Sequence, residues 1–467
     1  MNIDLPEIEV DKIEDLVLAD KVIQLLIVVE AVLEQNRQLQ KRVQQLEAEV
    51  ARLKGRPRKP HFTSSDRSVS RKLLGNKSEW NKSSKKDKIE VDQEVELAEV
   101  KECECGSREF RILRTREKIV QGIIIRRNNI VYRGKEKQCI ACGKVHNVQI
   151  PGEIKGYEFD SELRSWVSFF KYECRMTYPL IYDFLTGIGI KISTGQIANI
   201  IMENSDKLIP AWTHLKIWAI KTAKYLHSDA TGVKRKLHGS GKIINQHVHF
   251  VGHKFLSVFK ITKRYNSAEI ERILGKRGVR RPYISDDASP NGERLEIKDK
   301  QLCWWHEIGL YLKLEPIIRM NKKVLEEVLE ELWRFYEKAC RYGRDPAECL
   351  KSELADLFIK LTNKSTGYKQ LDKRLCLTRS KQERLLLFLQ YPWLPITNNE
   401  AERGLRKAVI IRKISGETKS KQGDRALERH LSVMHTARKQ GLDVFQTLHG
   451  LLLGDLSPFV LTAKKLT

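Results

Sequence analysis

Acidic residues at the ends of β-patterned runs, and two more at the start of a helix, are the side chains of this sequence best suited to chemistry. Residues 225–229 read Tyr-Leu-His-Ser-Asp, a strand pattern ending in Asp229. Residues 281–286 read Arg-Pro-Tyr-Ile-Ser-Asp, ending in Asp286 with Asp287 directly after it. Residues 397–403 read Thr-Asn-Asn-Glu-Ala-Glu-Arg, with asparagines suited to cap a helix and Glu400 and Glu402 in its first turn. Carboxylates brought together bind hard divalent cations, Mg²⁺ or Mn²⁺, through oxygen. Two such ions about 3.5–4 Å apart activate an attacking oxygen and stabilise the leaving one in phosphodiester chemistry. The chain has 60 acids, and a lone Asp at a strand end is usually a turn residue, so placement must carry the argument. Acids alone would repel a polyanion. Arg403, Arg406, Lys407, Arg412 and Lys413 follow the last pair and supply the opposite charge.

The elements that would position these acids form a recognisable order. Strand patterns at 225–229, 247–251 and 255–261, the last two turned through 252–254, precede a helix at 267–274 and the strand at 281–285. Three strands, a helix and a strand ending in Asp is the order of the RNase H-like α/β fold. There the first and fourth strands are neighbours, so Asp229 and Asp286 would meet. The third carboxylate must come from a later helix. Between lie helical patterns at 324–336, 347–361 and 380–389, an all-α insertion that would either hold DNA or act as scaffold. Trp304, Trp305 and Trp393 at its borders suit core packing or stacking on bases.

A different chemistry belongs to Cys103 and Cys105, in Cys-Glu-Cys-Gly, and to Cys139 and Cys142, in Cys-Ile-Ala-Cys-Gly. Two such pairs, each followed by a turn glycine and joined by β-like runs at 110–113 and 123–132, predict a closed, structural four-thiolate zinc site. Helical patterns at 178–185 and 194–203 flank Gly187 and Gly189, with Ser193 as cap. They fit either a DNA-reading helix-turn-helix or a plain helix pair.

Upstream, Leu18, Leu25, Val32, Leu39, Leu46 and Leu53 recur every seven residues, with Val22, Val29, Asn36, Val43 and Val50 as the second row. This predicts a two-stranded parallel coiled coil whose register Asn36 fixes. Residues 55–88 break every period and are rich in Lys, Arg, Ser and Pro, a basic linker that is either a spacer or a tether along phosphates. The net charge of +25 over 467 residues favours a polyanionic partner, nucleic acid or an anionic membrane. No apolar run approaches the ~20 residues of a membrane span, and the acidic N-terminus is unlike a secretory signal, so a cytoplasmic setting is expected.

The series "HSDATG", "ISDDAS", "CWWH", "NNEAERGLR" and "ISGETKSKQG", preceded by heptad helix, basic linker and cysteine pairs, resembles the transposases of the insertion sequence 66 family. The resemblance implies a bacterial, nucleoid-associated DNA transposase that cuts transposon ends and joins them to target DNA. It assigns the catalytic and metal-holding triad to Asp229, Asp286 and Glu402, with two Mg²⁺ or Mn²⁺ ions. Asp287 and Glu400 stand as rivals, because Ala230 and Ala288 depart from the family's usual neighbours of the two aspartates. The "CWWH" segment is similar to a Cys-x-x-His found after the second Asp in related transposases, which puts Cys303 and His306 near the site. Arg403 and Arg406 would contact DNA phosphate, or Arg403 would brace the carboxylates. Homo-oligomerisation through the coiled coil and accessory proteins of the same element are implied partners.

The expected architecture is therefore multidomain α+β: coiled coil 1–54, linker 55–97, zinc-ribbon-like module 98–155, and a helical module with a helix-turn-helix reading at 156–215. The RNase H-like core follows at 216–306, then the all-α insertion 307–394, the Glu helix 395–415 and a C-terminal helical region 416–467. Two alternatives share these features: a non-catalytic DNA-binding protein of transposase descent, and an RNase H-like nuclease without strand transfer.

Overall fold

The computed structural model describes residues 16–53, 91–97, 101–111, 117–147, 159–237, 241–264, 269, 272–273, 282–286, 299–316 and 318–457. Asp287, most of the expected linker and most of the expected helix at 267–274 lie outside these residues. The chain divides into two units, Ala31–Arg126 and Met1–Glu30 with Arg127–Thr467.

The heptad segment is one helix, α1 (Leu16–Leu53), whose Leu18, Leu25, Val32, Leu39, Val43 and Leu46 are exposed. Among the described residues no helix is long and apolar enough to cross a membrane.

Each cysteine pair sits on a tight turn. The amide of Gly106 donates to the Cys103 carbonyl at 2.8 Å, and that of Gly143 to the Cys139 carbonyl at 2.8 Å. Both glycines have positive φ, 88° and 70°, where a side chain would be strained. Hydrogen bonds from the Ser107 backbone and Cys103 pull the Cys105 thiol below its usual range, and bonds from the Cys142 backbone and side chain do the same for Cys139. The β-like runs at 110–113 and 123–132 form no strand in their described residues. Among the described residues of this cysteine-bearing segment, the strands are β1 (Lys137–Gln138) and β2 (Val145–His146), which pair antiparallel around the second turn. Ile123 and Ile124 are almost fully exposed, so these apolar residues lack the buried face that an extended strand needs.

Helices α2 (Ser161–Tyr172), α3 (Tyr178–Gly187), α4 (Thr194–Lys207) and α5 (Ile209–Thr222) follow. The glycine turn falls at Gly189, with φ 87°, while Gly187 ends α3 from within. Ser193 opens α4 with a reciprocal capping box to Gln196. Val167, Ile181, Ile197 and Ile201 of these helices share one hydrophobic core with Phe250, Leu405 and Leu431.

The central sheet has five strands: β3 (Leu226–Lys236), β4 (Ile243–His253), β5 (Leu256–Thr262), β6 (Tyr283–Ser285) and β7 (Lys300–Leu302). Their spatial order is β5-β4-β3-β6-β7. The first three pair antiparallel, and β6 and β7 run parallel to β3. The pairing of β3 with β6 is the neighbouring of first and fourth strands anticipated from the sequence; β7 is a fifth strand beyond those four patterns. Two details differ. Asp229 lies inside β3 rather than at its end, because residues 229–236 continue the ladder with β4. Gly252 is part of β4 rather than of the turn; it opposes Ser257, and a Cβ there would collide with the Leu256 carbonyl.

After β7 come α6 (Trp304–Tyr311), α7 (Arg319–Tyr342), α8 (Glu348–Thr362), α9 (Lys369–Arg379) and α10 (Gln382–Leu385). Residues 380–389, expected as one helix, break into α10 and a 3-10 turn (Leu387–Leu389). The break lets Leu385, Phe388 and Leu389 all enter a second core with Trp304, Leu332 and Phe358. The chain then returns to the sheet in α11 (Asn399–Ser415), α12 (Lys421–Lys439) and α13 (Val444–Leu452).

Candidate carboxylate site

Strand register sets the first two acids side by side. Leu226 pairs with Tyr283 and Tyr283 with Lys300, all in parallel strands. Three residues further along, the same row reads Asp229, Asp286 and Cys303. The row lies just beyond the carboxyl ends of β6 and β7, where parallel strands leave a crevice for ligands. Backbone bonds hold it there: the Cys303 amide donates to the Ser285 carbonyl at 3.0 Å.

Glu402 arrives on α11, and close packing brings that helix down on the sheet. Gly404 faces the Phe250 ring of β4, where a Cβ would stand 2.9 Å from Cζ and nearer still to two other ring carbons. A helical glycine costs about 1 kcal/mol relative to alanine, yet here only glycine admits the ring. Arg412, further along α11, donates to the Gly232 carbonyl and to Thr231 Oγ1 of β3. Beyond α11, the Lys236 amide donates to the Thr418 carbonyl at 2.8 Å, so residues 415–423 tie the end of this helix to β3. Ser420 then caps α12, and Asp424 pairs with buried Arg235 at 2.7 Å.

Asn398 does not cap α11 with its side chain. It is fully buried; its Oδ1 lies 3.0 Å from His227 Nδ1 and its Nδ2 donates to the Ser228 carbonyl at 2.9 Å. Its amide donates to Cys303 Sγ at 3.2 Å. One residue thus joins the strand of Asp229, the helix of Glu402 and the Cys303 corner. The sequence offered the asparagine but read it as a cap, because a long-range partner leaves no local pattern.

Electrostatics register how near the acids are. The Asp229 carboxyl is pushed up to about 7, first by burial, then by the charge of Asp286 and, more weakly, of Glu402, against a hydrogen bond from the Ala230 amide. Glu400 points elsewhere: it pairs with Lys439 at 2.7 Å. Burial lowers the Lys439 ammonium and Glu400 opposes that. His227 is driven down to about 4 by burial, so it stays neutral and bonded to Asn398.

Cys303 stands at the N-cap position of α6, without a side-chain capping bond, and His306 is the third residue of the helix. His306 Nδ1 is 3.8 Å from Glu402 Oε1, and Cys303, His306 and Glu402 present ligand atoms all within 4.8 Å of one another. Arg403 and Arg406 are exposed on α11, whereas Lys407 is tied to Glu173 at 2.8 Å. Trp304 is wholly buried and bonds the Leu385 carbonyl. Trp305 meets Trp333 and Tyr336, and Trp393, 45% exposed, stacks on Tyr225. Glu400–Lys439, Gly404–Phe250 and Arg235–Asp424 were not singled out from sequence, since each couples residues far apart in the chain.

Comparison with known proteins gives two findings. Residues 156–426 match the family described as "Transposase IS66 family". An uncharacterized protein, y4jO, of Sinorhizobium fredii (strain NBRC 101917 / NGR234) is 33% identical over 165 residues, 35% of this chain and 50% of that protein. The chain thus spans about half the length of the curated relative it matches.

Proposed function

The chain belongs to the IS66 family of transposases, and from that premise we propose that it cuts DNA at the ends of an insertion sequence and joins the freed 3′-hydroxyl to target DNA. In this reading Asp229, Asp286 and Glu402 hold two divalent cations, Mg²⁺ or Mn²⁺. The observation that carries it is the strand register that sets Asp229 and Asp286 side by side beyond the ends of parallel strands, with the Glu402 charge reaching Asp229 from α11. Acids from two strands and a distant helix gain nothing from mutual repulsion unless cations neutralise them, and an all-oxygen donor set fits Mg²⁺. When bound, such ions supply Lewis-acid activation of an attacking hydroxyl and stabilisation of the leaving oxygen.

The chain's own groups do the rest. The raised Asp229 carboxyl is partly protonated near neutral pH, and a bound cation would favour its ionised form. Asn398 fixes the strand of Asp229 against the helix of Glu402. Arg403 and Arg406 offer charge to phosphate oxygens beside the carboxylates. Glu400, occupied by Lys439, holds α11 in place rather than serving as a ligand. Cys103, Cys105, Cys139 and Cys142 would together hold a structural zinc ion, with the Cys105 and Cys139 thiols lowered by neighbouring hydrogen bonds, and the exposed heptad face of α1 would pair protomers as a coiled coil.

The test is a strand-transfer assay with a pre-cut transposon-end duplex and supercoiled plasmid, in Mg²⁺ or EDTA. Metal-dependent joining that vanishes in Asp286→Asn supports the proposal. Cleavage without joining would make the protein a nuclease. DNA binding with neither reaction, even with a lysate of cells carrying the whole element, would make it a non-catalytic binder.

A further inference from the structure

We propose that Cys303, His306 and Glu402 form a second metal site, selective for zinc over magnesium, that competes with the carboxylate cluster for Glu402. The competition rests on the proposed role of Glu402; the site itself does not.

Helix geometry explains why these residues meet. Cys303 is the N-cap of α6 and His306 is its third helical residue. Residues three apart at a helix start lie on one face, which lets their side chains approach. Glu402, in the first turn of α11, closes the cluster from the facing element. All three ligand atoms lie within 4.8 Å, and the imidazole and carboxylate approach to 3.8 Å. Tetrahedral zinc with bonds of about 2.0–2.3 Å sets its donors roughly 3.3–3.7 Å apart. The cluster must therefore contract by about an ångström. The movement is available in His306 and Glu402, whose side chains are 46% and 43% exposed, while Cys303 stays fixed.

The donors choose the metal. Thiolate with imidazole suits zinc and is refused by Mg²⁺, which takes oxygen. The Asn398 amide donates to the Cys303 sulfur at 3.2 Å, at the start of α6. Burial, helped by the Glu402 charge, holds the thiol up and the amides of Asn398, His306 and Trp305 only oppose it, so a cation would have to displace the proton on binding. Three protein ligands leave a fourth position open, unlike the closed four-thiolate site expected from the cysteine pairs. The Glu402 carboxylate cannot complete a zinc site beside Cys303 and also serve the row of Asp229 and Asp286 unchanged. Zinc binding would thus switch the carboxylate cluster off.

Co²⁺, which reports thiolate ligation by charge-transfer absorption, tests this on the full chain after chelation and buffer exchange. Wild type should bind one more Co²⁺ per chain than Cys303→Ser, and the difference spectrum should show a single-thiolate site. His306→Ala, at an exposed position that leaves the core intact, should weaken that site at least tenfold, as loss of a direct ligand must exceed loss of an outer partner. Equal Co²⁺ affinity and spectra at that site in wild type and His306→Ala would overturn the site whatever the protein's activity. Millimolar Mg²⁺ should weaken Co²⁺ binding there several-fold in wild type and not in Asp286→Asn. A Co²⁺ site indifferent to Mg²⁺ would overturn the competition, and with it the sharing of Glu402, while leaving the site standing.

Discussion

Replacing Asp229 by Asn removes a negative charge from a place where the fold has buried it beside two others. The carboxyl rises from 3.8 to about 7, with burial as the largest cause. Its folded-state pKa lies above the unfolded value, so the folded chain binds the proton more tightly. Without metal, stability therefore falls as pH climbs from about 4 to about 7, and the loss is complete above that. A tenfold change in proton affinity is worth about 1.4 kcal/mol, so the full effect is about 4 kcal/mol as an upper bound, and roughly 2–4 once water enters the site. Asn keeps the side-chain oxygen that accepts from the Ala230 amide at 2.7 Å, so the local structure survives. In EDTA, Asp229→Asn should thus gain on wild type between pH 5 and pH 8, by about 5–10 °C in Tm for a domain of this size. Adding Mg²⁺ at pH 8 should stabilise wild type and leave the variant unmoved. Thermal unfolding at the two pH values, with and without Mg²⁺, reads both effects. Parallel pH profiles for the two proteins would refute the buried-charge argument, and equal Mg²⁺ stabilisation would remove Asp229 from the ligands.

The two glutamates of α11 should separate cleanly: Glu402→Gln abolishes metal-dependent activity with little loss of stability, whereas Glu400→Gln removes the counter-charge of Lys439, leaves it to the His253 and Leu256 carbonyls, and costs about 1–3 kcal/mol in denaturant unfolding. Gly404→Ala should lose about 1–3 kcal/mol by overpacking against Phe250, and Phe250→Leu in the same chain should restore part of it, as a double-mutant cycle would show. Charged substitutions at two exposed heptad positions, Leu25→Glu with Leu39→Glu, should shift the protein to a lower oligomer in light scattering while far-UV helicity falls; an unchanged mass would remove the coiled coil as the dimer contact.

Local pattern in the sequence determined much of this protein. The heptads specify α1, glycines after the cysteine pairs specify the two turns, and Ser193 with Gln196 specifies the start of α4, because each rests on contacts within a few residues. The alternating runs specified four of the five strands of the sheet, all but β7, and, through their order, that the strands carrying Asp229 and Asp286 would be neighbours. Tertiary structure decided what pairs distant residues. It turned Asn398 from a cap into a staple among β3, α11 and Cys303, gave Glu400 to Lys439 and set Glu402 beside Cys303 and His306. It also left the isoleucines near Ile123 without strand structure, since β propensity alone supplies neither a ladder partner nor a buried face. Strand and helix periods repeat within a few residues and so can be read directly from the chain. Which carboxylate meets which cation, and how low a helix sits on a sheet, depend on burial and on contacts between residues more than a hundred positions apart, such as Gly404 under Phe250.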